Sequence, residues 1–212
     1  MNLKTKKLII FDCDGTLVDS EPITNRVISQ YATEFGIVLS PAEALELFVG
    51  KDMPGIVKFL ESRIDDRLPP EFTSEFRNRQ AIALRQELKA MDNASQLLGQ
   101  LQTHKCVASN APPAKIQINL EVTELNQHFQ SNEIFSAYDI GAWKPDPDLF
   151  NYSAAQMGFA KEDCLVIEDS LAGIEAAKKA QMDVVCYSNG GYPADTSVPE
   201  LRNLIDLLEW IS

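Results

Sequence analysis

The chain contains an acidic strand end, LIIFDCDGT, at residues 8–16. A short apolar run that ends at a turn is typical of a strand buried on both faces of a parallel sheet. Side chains alternate along a strand, so Asp12 and Asp14 point to the same side. Carboxylates this close repel each other, and a divalent cation that prefers hard oxygen ligands, such as Mg²⁺, relieves the repulsion. The alternative is a turn without function, because Asp and Gly15 are common turn residues.

Similar short apolar runs follow along the chain and alternate with helical patterns. The runs predict strands at residues 8–11, 106–108, 133–137, 165–167 and 184–187, and the periodic segments predict helices at 93–102, 113–125, 147–157 and 171–180. Strands separated by helices form βαβ units. We therefore predict an α/β fold, a doubly wound and mostly parallel sheet of the Rossmann-like type, which binds ligands at the carboxyl ends of its strands.

One long segment, residues 20–88, interrupts this alternation because it carries only helix signals. Ser40 followed by Pro41 is a good helix start, with a capping side chain and a proline in the first turn. Residues 71–88 are predicted to form one long helix. The sequence therefore predicts a catalytic α/β core domain, residues 1–19 plus 89–212, with an inserted α-helical cap domain at residues 20–88.

The composition excludes several classes of protein. The chain has 212 residues, of which 45% are hydrophobic and 24% charged, which is ordinary globular usage. Its 31 acidic and 19 basic residues give a net charge of −12. Nucleic acids and anionic membranes need a basic face, so neither is an expected partner. No apolar run is long enough for a transmembrane helix or a secretory signal. We expect a cytoplasmic monomer with a small-molecule ligand.

Three further polar clusters follow predicted strands or lie in a rigid loop. Glu168 and Asp169 come directly after the apolar run 165–167, so they are expected beside the first acidic strand end and around the same cation. Ser109 and Asn110 follow the strand at 106–108 and form either an anion site at a helix N-terminus or an ordinary helix cap. Lys144 lies between Trp143 and two nearby prolines, and is either a surface charge or a group that holds a phosphoryl oxygen.

Together these residues resemble the motifs of the haloacid dehalogenase superfamily of phosphotransferases. DCDGTLVDS at residues 12–20 is similar to its first motif, Ser109 to its second, Lys144 to its third, and Glu168 with Asp169 to its fourth. The order and spacing match over nearly the whole chain. The helical segment after the first strand is similar to the cap of the subgroup that includes β-phosphoglucomutase and small sugar-phosphate phosphatases.

The resemblance implies a role for each motif residue. Asp12 is the nucleophile that forms an aspartyl-phosphate, and Asp14 is the general acid/base. The implied Mg²⁺ ligands are Asp12, the backbone carbonyl of Asp14, and Asp169, with Glu168 acting through water. The implied phosphoryl-binding groups are Ser109, the backbone at Asn110, and Lys144.

Three alternatives to a phosphatase are weighed by particular residues. Dehalogenases of the superfamily lack the second aspartate, whereas Asp14 is present here. β-Phosphoglucomutases carry a histidine, a lysine and an arginine at the positions that correspond to Thr24, Val49 and Met53, and the nearby Lys51 keeps a mutase open. A catalytically idle binding module of the same fold would have had few reasons to retain the motif residues.

The sequence thus predicts an Mg²⁺-dependent phosphatase that hydrolyses a small phosphorylated metabolite, a sugar or sugar-acid phosphate in the first place. A β-phosphoglucomutase-type mutase is the alternative. Three residues of the predicted cap domain are candidates for contacting the substrate: Thr24, Lys51 and Arg79.

Overall fold

A six-stranded parallel sheet forms the centre of the larger unit of the protein. The structure is a computed structural model that describes residues 3–48, 53–188 and 197–211. The strands are arranged in the order β3-β2-β1-β4-β5-β6, and every neighbouring pair is parallel. Their bounds are β1 Leu8–Phe11, β2 His104–Ser109, β3 Ile134–Ser136, β4 Cys164–Glu168, β5 Asp183–Tyr187 and β6 Glu200–Leu201. The predicted fold class is confirmed.

The sheet is buried on both faces, as its apolar strands require. All four residues of β1 and all five of β4 are buried. β1 lies between β2 and β4, with Phe11 level with Val107 on one side and Ile167 on the other. The five strands predicted from apolar runs are present, with ends that differ from the predicted ones by at most two residues. β6 was not predicted, because a strand of two residues leaves no periodic signal in the sequence.

Helices cover the sheet in this unit. They are α5 Ala94–Gln100, α6 Pro113–Val122, α7 Ala137–Ile140, α8 Asp148–Met157, α9 Leu171–Lys179 and α10 Leu207–Ile211, with short 3-10 helices at Leu3–Thr5, Leu125–His128, Ser131–Glu133, Lys161–Asp163 and Leu204–Asp206. The start of α9 is capped by Ser170, whose Oγ accepts a hydrogen bond of 3.0 Å from the Gly173 N–H. Both residues also lie against the Glu168 carboxylate.

The second unit is helical. It contains α1 Glu21–Thr33, α2 Pro41–Phe48, α3 Met53–Glu61 and α4 Phe72–Glu87. The predicted start of α2 is confirmed by a reciprocal cap, since Ser40 N–H donates to Glu43 Oε2 at 2.8 Å and Glu43 N–H donates to Ser40 Oγ at 3.2 Å. Aromatic packing links α1 and α4, with the rings of Tyr31 and Phe72 stacked at 4.7 Å.

The chain divides into two compact units, Met1–Asp19 with Lys89–Ser212 and Ser20–Leu88. We name them the core unit and the helical unit. None of the helices within the described ranges has the length and hydropathy of a membrane-spanning segment.

Candidate active site

The polar strand ends of the core unit meet at one edge of the sheet. Asp12 directly follows β1, Ser109 is the last residue of β2, and Glu168 is the last residue of β4. Since β1 lies between β2 and β4 and all three run in the same direction, their carboxyl ends lie together. The chain leaves β1 toward β2 on one side and returns to β4 on the other, so this edge is the topological switch point at which open α/β sheets bind ligands.

Lys144 connects two of these carboxylates. It lies in the segment between α7 and α8, and its side chain is only 2% exposed. Lys144 Nζ donates to Asp12 Oδ1 at 2.5 Å and to Glu168 Oε1 at 2.8 Å. A lysine this deeply buried is a rare arrangement, and the two carboxylates account for it.

The backbone of Lys144 is held by the side-chain amide of Asn110. Lys144 N–H donates to Asn110 Oδ1 at 2.9 Å, and Asn110 Nδ2 donates to the Lys144 carbonyl at 3.2 Å. This reciprocal pair ties the lysine loop to the end of β2. The role of the Asn110 backbone in phosphoryl binding stays a prediction. The structure adds a positioning contact of its side chain.

Charge and burial oppose each other at this site. Burial raises the pKa of the Asp12 carboxyl, the Lys144 ammonium lowers it, and the negative charge of Glu168 raises it further, so that the pKa lies well above its ordinary value. Burial lowers the pKa of Lys144, but the charges of Asp12 and Glu168 outweigh this effect and raise it overall. Lys144 therefore stays charged, and one positive charge faces more than one carboxylate.

Three carboxylates form a group that fits a divalent cation. Asp12, Glu168 and Asp169 each offer an oxygen, and these oxygens lie within 4.8 Å of one another. An all-oxygen, carboxylate-rich set is what Mg²⁺ prefers, and a cation would balance the excess negative charge. Thr16 Oγ1 donates to Asp169 Oδ1 at 3.0 Å and so orients the third carboxylate. The predicted ligands Asp12 and Asp169 are thus brought together, and Glu168 lies in the same group.

Two glycines leave room for the acidic pair. A Cβ atom on Gly173 would overlap the Glu168 carboxylate, and a Cβ atom on Gly15 would overlap the Asp169 carboxylate. Gly15 also has a φ of +86°, a conformation that favours glycine. Glu168 Oε2 in addition accepts bonds from Ser170, at 3.0 Å from its N–H and 2.9 Å from its Oγ. Close backbone approach thus fixes both carboxylates.

The side chain of Asp14 is bound by two residues of α6. Lys115 Nζ donates to Asp14 Oδ1 at 2.6 Å, and Asn119 Nδ2 donates to the same oxygen at 2.9 Å. Neither residue was predicted from the sequence. One signal could have revealed Asn119, since a polar residue stands among the apolar side chains Ile116 and Leu120 on the buried face of the helix. Lys115 gives no comparable signal, because most helical lysines are solvated.

Ser109 is 1% exposed, and its Oγ accepts a bond of 3.1 Å from the Ala111 N–H. This bond belongs to a turn at the end of β2, beside the predicted phosphoryl-binding loop. Ser136, at the end of β3, donates through its Oγ to the Ala111 carbonyl at 2.7 Å. The turn after Ser109 is therefore held from two strands, which suits a rigid anion site.

The candidate substrate contacts of the helical unit have structural partners. Thr24 Oγ1 accepts a bond of 2.8 Å from Gln80 Nε2. Arg79 pairs with Glu34 and Glu75, and its guanidinium lies 4.1 Å from the centre of the Tyr31 ring. Lys51 and Val49 lie outside the described residues. Roles of Thr24, Lys51 and Arg79 in substrate recognition stay predictions.

The parallel sheet and the carboxylates at this edge define a Rossmann-like fold of the haloacid dehalogenase type. The sequence model of haloacid dehalogenase-like hydrolases matches residues 9–187, which is most of the chain. The chain belongs to this family of enzymes, as the motif resemblance indicated.

Two curated relatives are phosphatases from Escherichia coli (strain K12). The chain is 36% identical to 6-phosphogluconate phosphatase over 181 residues, 84% of this chain and 81% of that protein. It is 30% identical to hexitol phosphatase A over 209 residues, 95% of this chain and 89% of that protein. Among solved structures, a conserved haloacid dehalogenase-like protein of unknown function from Agrobacterium tumefaciens str. C58 superimposes with a TM-score of 0.83 at 33% identity, covering 97% of each chain.

Proposed function

We propose that the protein is an Mg²⁺-dependent phosphatase that hydrolyses a small phosphate monoester, a sugar or sugar-acid phosphate. The observation that carries the proposal is the buried Lys144 ammonium in contact with Asp12, beside the carboxylate group formed with Glu168 and Asp169. The relatives that act on 6-phosphogluconate and hexitol phosphates support the substrate class.

In the proposed reaction, a carboxylate oxygen of Asp12 attacks phosphorus while the bond from phosphorus to the ester oxygen breaks. Asp14 gives a proton to that oxygen, so the product leaves as an alcohol. Water then attacks the aspartyl-phosphate, Asp14 takes a proton from this water, and Asp12 is restored as phosphate departs.

Lys144 has two tasks in this scheme. Its ammonium opposes the effect of burial by lowering the pKa of Asp12, and it neutralises phosphoryl oxygens as the nucleophile approaches an anionic ester. The loop at Ser109 and Asn110 is the proposed site for the remaining phosphoryl oxygen. Asp12, Asp169 and the carbonyl of Asp14 would hold Mg²⁺, which would supply charge neutralisation at the phosphoryl group as a Lewis acid.

A phosphate-release screen tests the proposal. Purified protein with Mg²⁺ is offered sugar phosphates, sugar-acid phosphates, phosphoglycolate and pyrophosphate, and catalytic efficiencies are compared. We expect turnover of at least one sugar or sugar-acid phosphate, loss of turnover on chelation with EDTA, and recovery with added Mg²⁺. Conversion of glucose 1-phosphate to glucose 6-phosphate without phosphate release would instead identify a mutase.

Asp12→Asn tests the nucleophile. It keeps the shape of the side chain but removes the charge, so we expect turnover to disappear while the fold is retained. The matched control is Asp65→Asn, which changes an exposed aspartate of the helical unit and is expected to leave turnover unchanged. Substantial wild-type activity in Asp12→Asn would contradict the assignment.

A further inference from the structure

We propose that Lys115 and Asn119 are positioning residues that hold the acid/base Asp14 in register with the leaving-group oxygen. Both lie on α6, four residues apart, and therefore on one face of the helix. Both donate to the same atom, Asp14 Oδ1. We name this pair the α6 clamp. The inference rests on the proposed phosphatase activity.

The contact with Asp14 explains why the side-chain amide of Asn119 adopts an orientation that leaves its oxygen without a hydrogen bond. Asn119 is fully buried, and within the described part of the chain its Oδ1 is a buried side-chain atom without a hydrogen-bond partner. A buried polar atom without a partner costs free energy. The opposite orientation of the amide would place this oxygen against the Asp14 carboxylate and repel it. The observed orientation instead gives the NH₂ group to Asp14, with a weaker contact of 3.7 Å to Cys13 Sγ.

Lys115 is the charged member of the α6 clamp and forms an ion pair with Asp14. Its side chain is 17% exposed and that of Asp14 is 22% exposed, so this contact lies at the solvent edge of the site, unlike the deeply buried Lys144. Asp14 lies between the end of β1 and the turn at Gly15, and α6 supplies two contacts that direct its side chain.

The clamp separates the tasks of the two carboxyl oxygens. Oδ1 is the anchored oxygen, and we assign proton exchange to Oδ2. In the first step the Oδ2–H bond breaks as its proton goes to the ester oxygen, and the ester O–P bond breaks with it. In the second step Oδ2 regains a proton from the attacking water. No redox change or further reactant is needed.

The leaving group distinguishes positioning from a purely structural role. p-Nitrophenolate is stable without a proton, whereas the alkoxide of a hexose 6-phosphate must be protonated as it leaves. General acid catalysis is worth about 10²–10⁴-fold, and a misplaced group loses much of this. Loss of the clamp should therefore reduce hydrolysis of the alkyl ester more than that of the aryl ester.

The experiment measures kcat/KM for p-nitrophenyl phosphate and a hexose 6-phosphate with Mg²⁺. We expect Lys115→Met and Asn119→Leu each to lower the ratio of alkyl to aryl efficiency by about 10- to 100-fold. Lys115→Arg should restore most of the ratio, because it retains a charged donor. The control Gln117→Met changes an exposed residue of the same helix and should leave the ratio at the wild-type value.

Thermal unfolding adds an independent readout. Asn119→Leu removes the unpartnered oxygen, so we expect its midpoint to be no lower than that of the wild type even though alkyl-ester turnover falls. The inference would be overturned if the ratio of alkyl to aryl efficiency stayed unchanged, whether both efficiencies fell equally or neither fell, or if Lys115→Arg failed to restore it. The phosphatase proposal would remain intact in each case. A wild-type protein no more active than Asp12→Asn on either ester would refute the phosphatase proposal itself, and this inference with it.

Discussion

Replacing Gly173 by alanine tests how the acidic pair is held. Gly173 lies in the first turn of α9, and a Cβ atom there would overlap the Glu168 carboxylate. The carboxylate is the flexible end of its side chain and would move. Movement would break its bonds to Lys144 Nζ at 2.8 Å and to Ser170 N–H and Oγ at 3.0 and 2.9 Å.

The size of the effect follows from these contacts. Breaking a buried ion pair costs about 3–5 kcal/mol, and alanine in place of glycine returns about 0.5–1 kcal/mol in a helix. We therefore expect Gly173→Ala to lower the free energy of unfolding by about 2–4 kcal/mol, or the melting temperature by about 4–16 °C for a chain of this size. Turnover should fall about 100-fold, because Glu168 orients Lys144.

A matched glycine on another helix provides the control. Gly99 lies in α5, and a Cβ atom there meets only the His128 ring, at 3.5 Å, an ordinary contact. Gly99→Ala is expected to raise stability by about 0.5–1 kcal/mol and to leave turnover unchanged. Both variants are compared with the wild type by thermal unfolding and by phosphate release. If Gly173→Ala retained wild-type stability and turnover, the account of how Glu168 is fixed would be wrong.

Two more predictions concern charge. Lys144→Met leaves Asp12 and Glu168 buried without their cation, so we expect a loss of about 3–5 kcal/mol in urea unfolding together with loss of turnover, and a change under about 1 kcal/mol would contradict this. Hydrogen bonds from the Ser40 N–H and hydroxyl lower the pKa of Glu43 from its ordinary value of 4.5. A carboxyl whose pKa is lowered in the folded state stabilises the fold at pH values above its ordinary pKa. This stabilisation is lost as the pH falls through the lowered pKa of the folded state. Melting curves should therefore show wild type more stable than Glu43→Gln at neutral pH, with the difference shrinking as the pH falls below 4.5; a pH-independent difference would refute the reasoning.

The fold class was predictable because its signals are local. The run Leu8–Phe11 is short, apolar throughout and ends at a turn, which favours a buried strand, and its predicted bounds are those observed. Helix starts such as Ser40-Pro41 follow from side-chain capping of backbone N–H groups within a few residues. The short strand β6 was not predicted, because its two residues are a strand only through their pairing with β5 and show no sequence pattern of their own.

The carboxylates at the candidate site were predictable from topology. Parallel strands place their carboxyl ends at one edge, so Asp12, Glu168 and Asp169 were expected to meet, and the structure groups them. Strand topology does not predict the contact between Lys144 and Glu168. From the sequence, Lys144 was expected only near the phosphoryl group. Its geometry depends on Asn110, which binds the lysine backbone across 34 positions of the chain.

The α6 clamp lay beyond sequence reasoning. Lys115 contacts Asp14 across 101 positions, and Asn119 does so across 105. A helical lysine has the same local pattern whether it faces solvent or a carboxylate, because periodicity records which face is apolar and not what lies opposite.

The amino-acid sequence by itself was enough to predict the α/β class, a helical insertion at residues 20–88, and a group of carboxylates at the ends of β1 and β4. Apolar periodicity and strand direction are properties of neighbouring residues, and they suffice for these features. Only the tertiary structure decided which lysine pairs with which carboxylate: Lys144 bonds to Asp12 and Glu168, and Lys115 bonds to Asp14. Pairing of charges depends on distances of a few ångströms between segments far apart in the chain, and these distances exist only once the chain has packed.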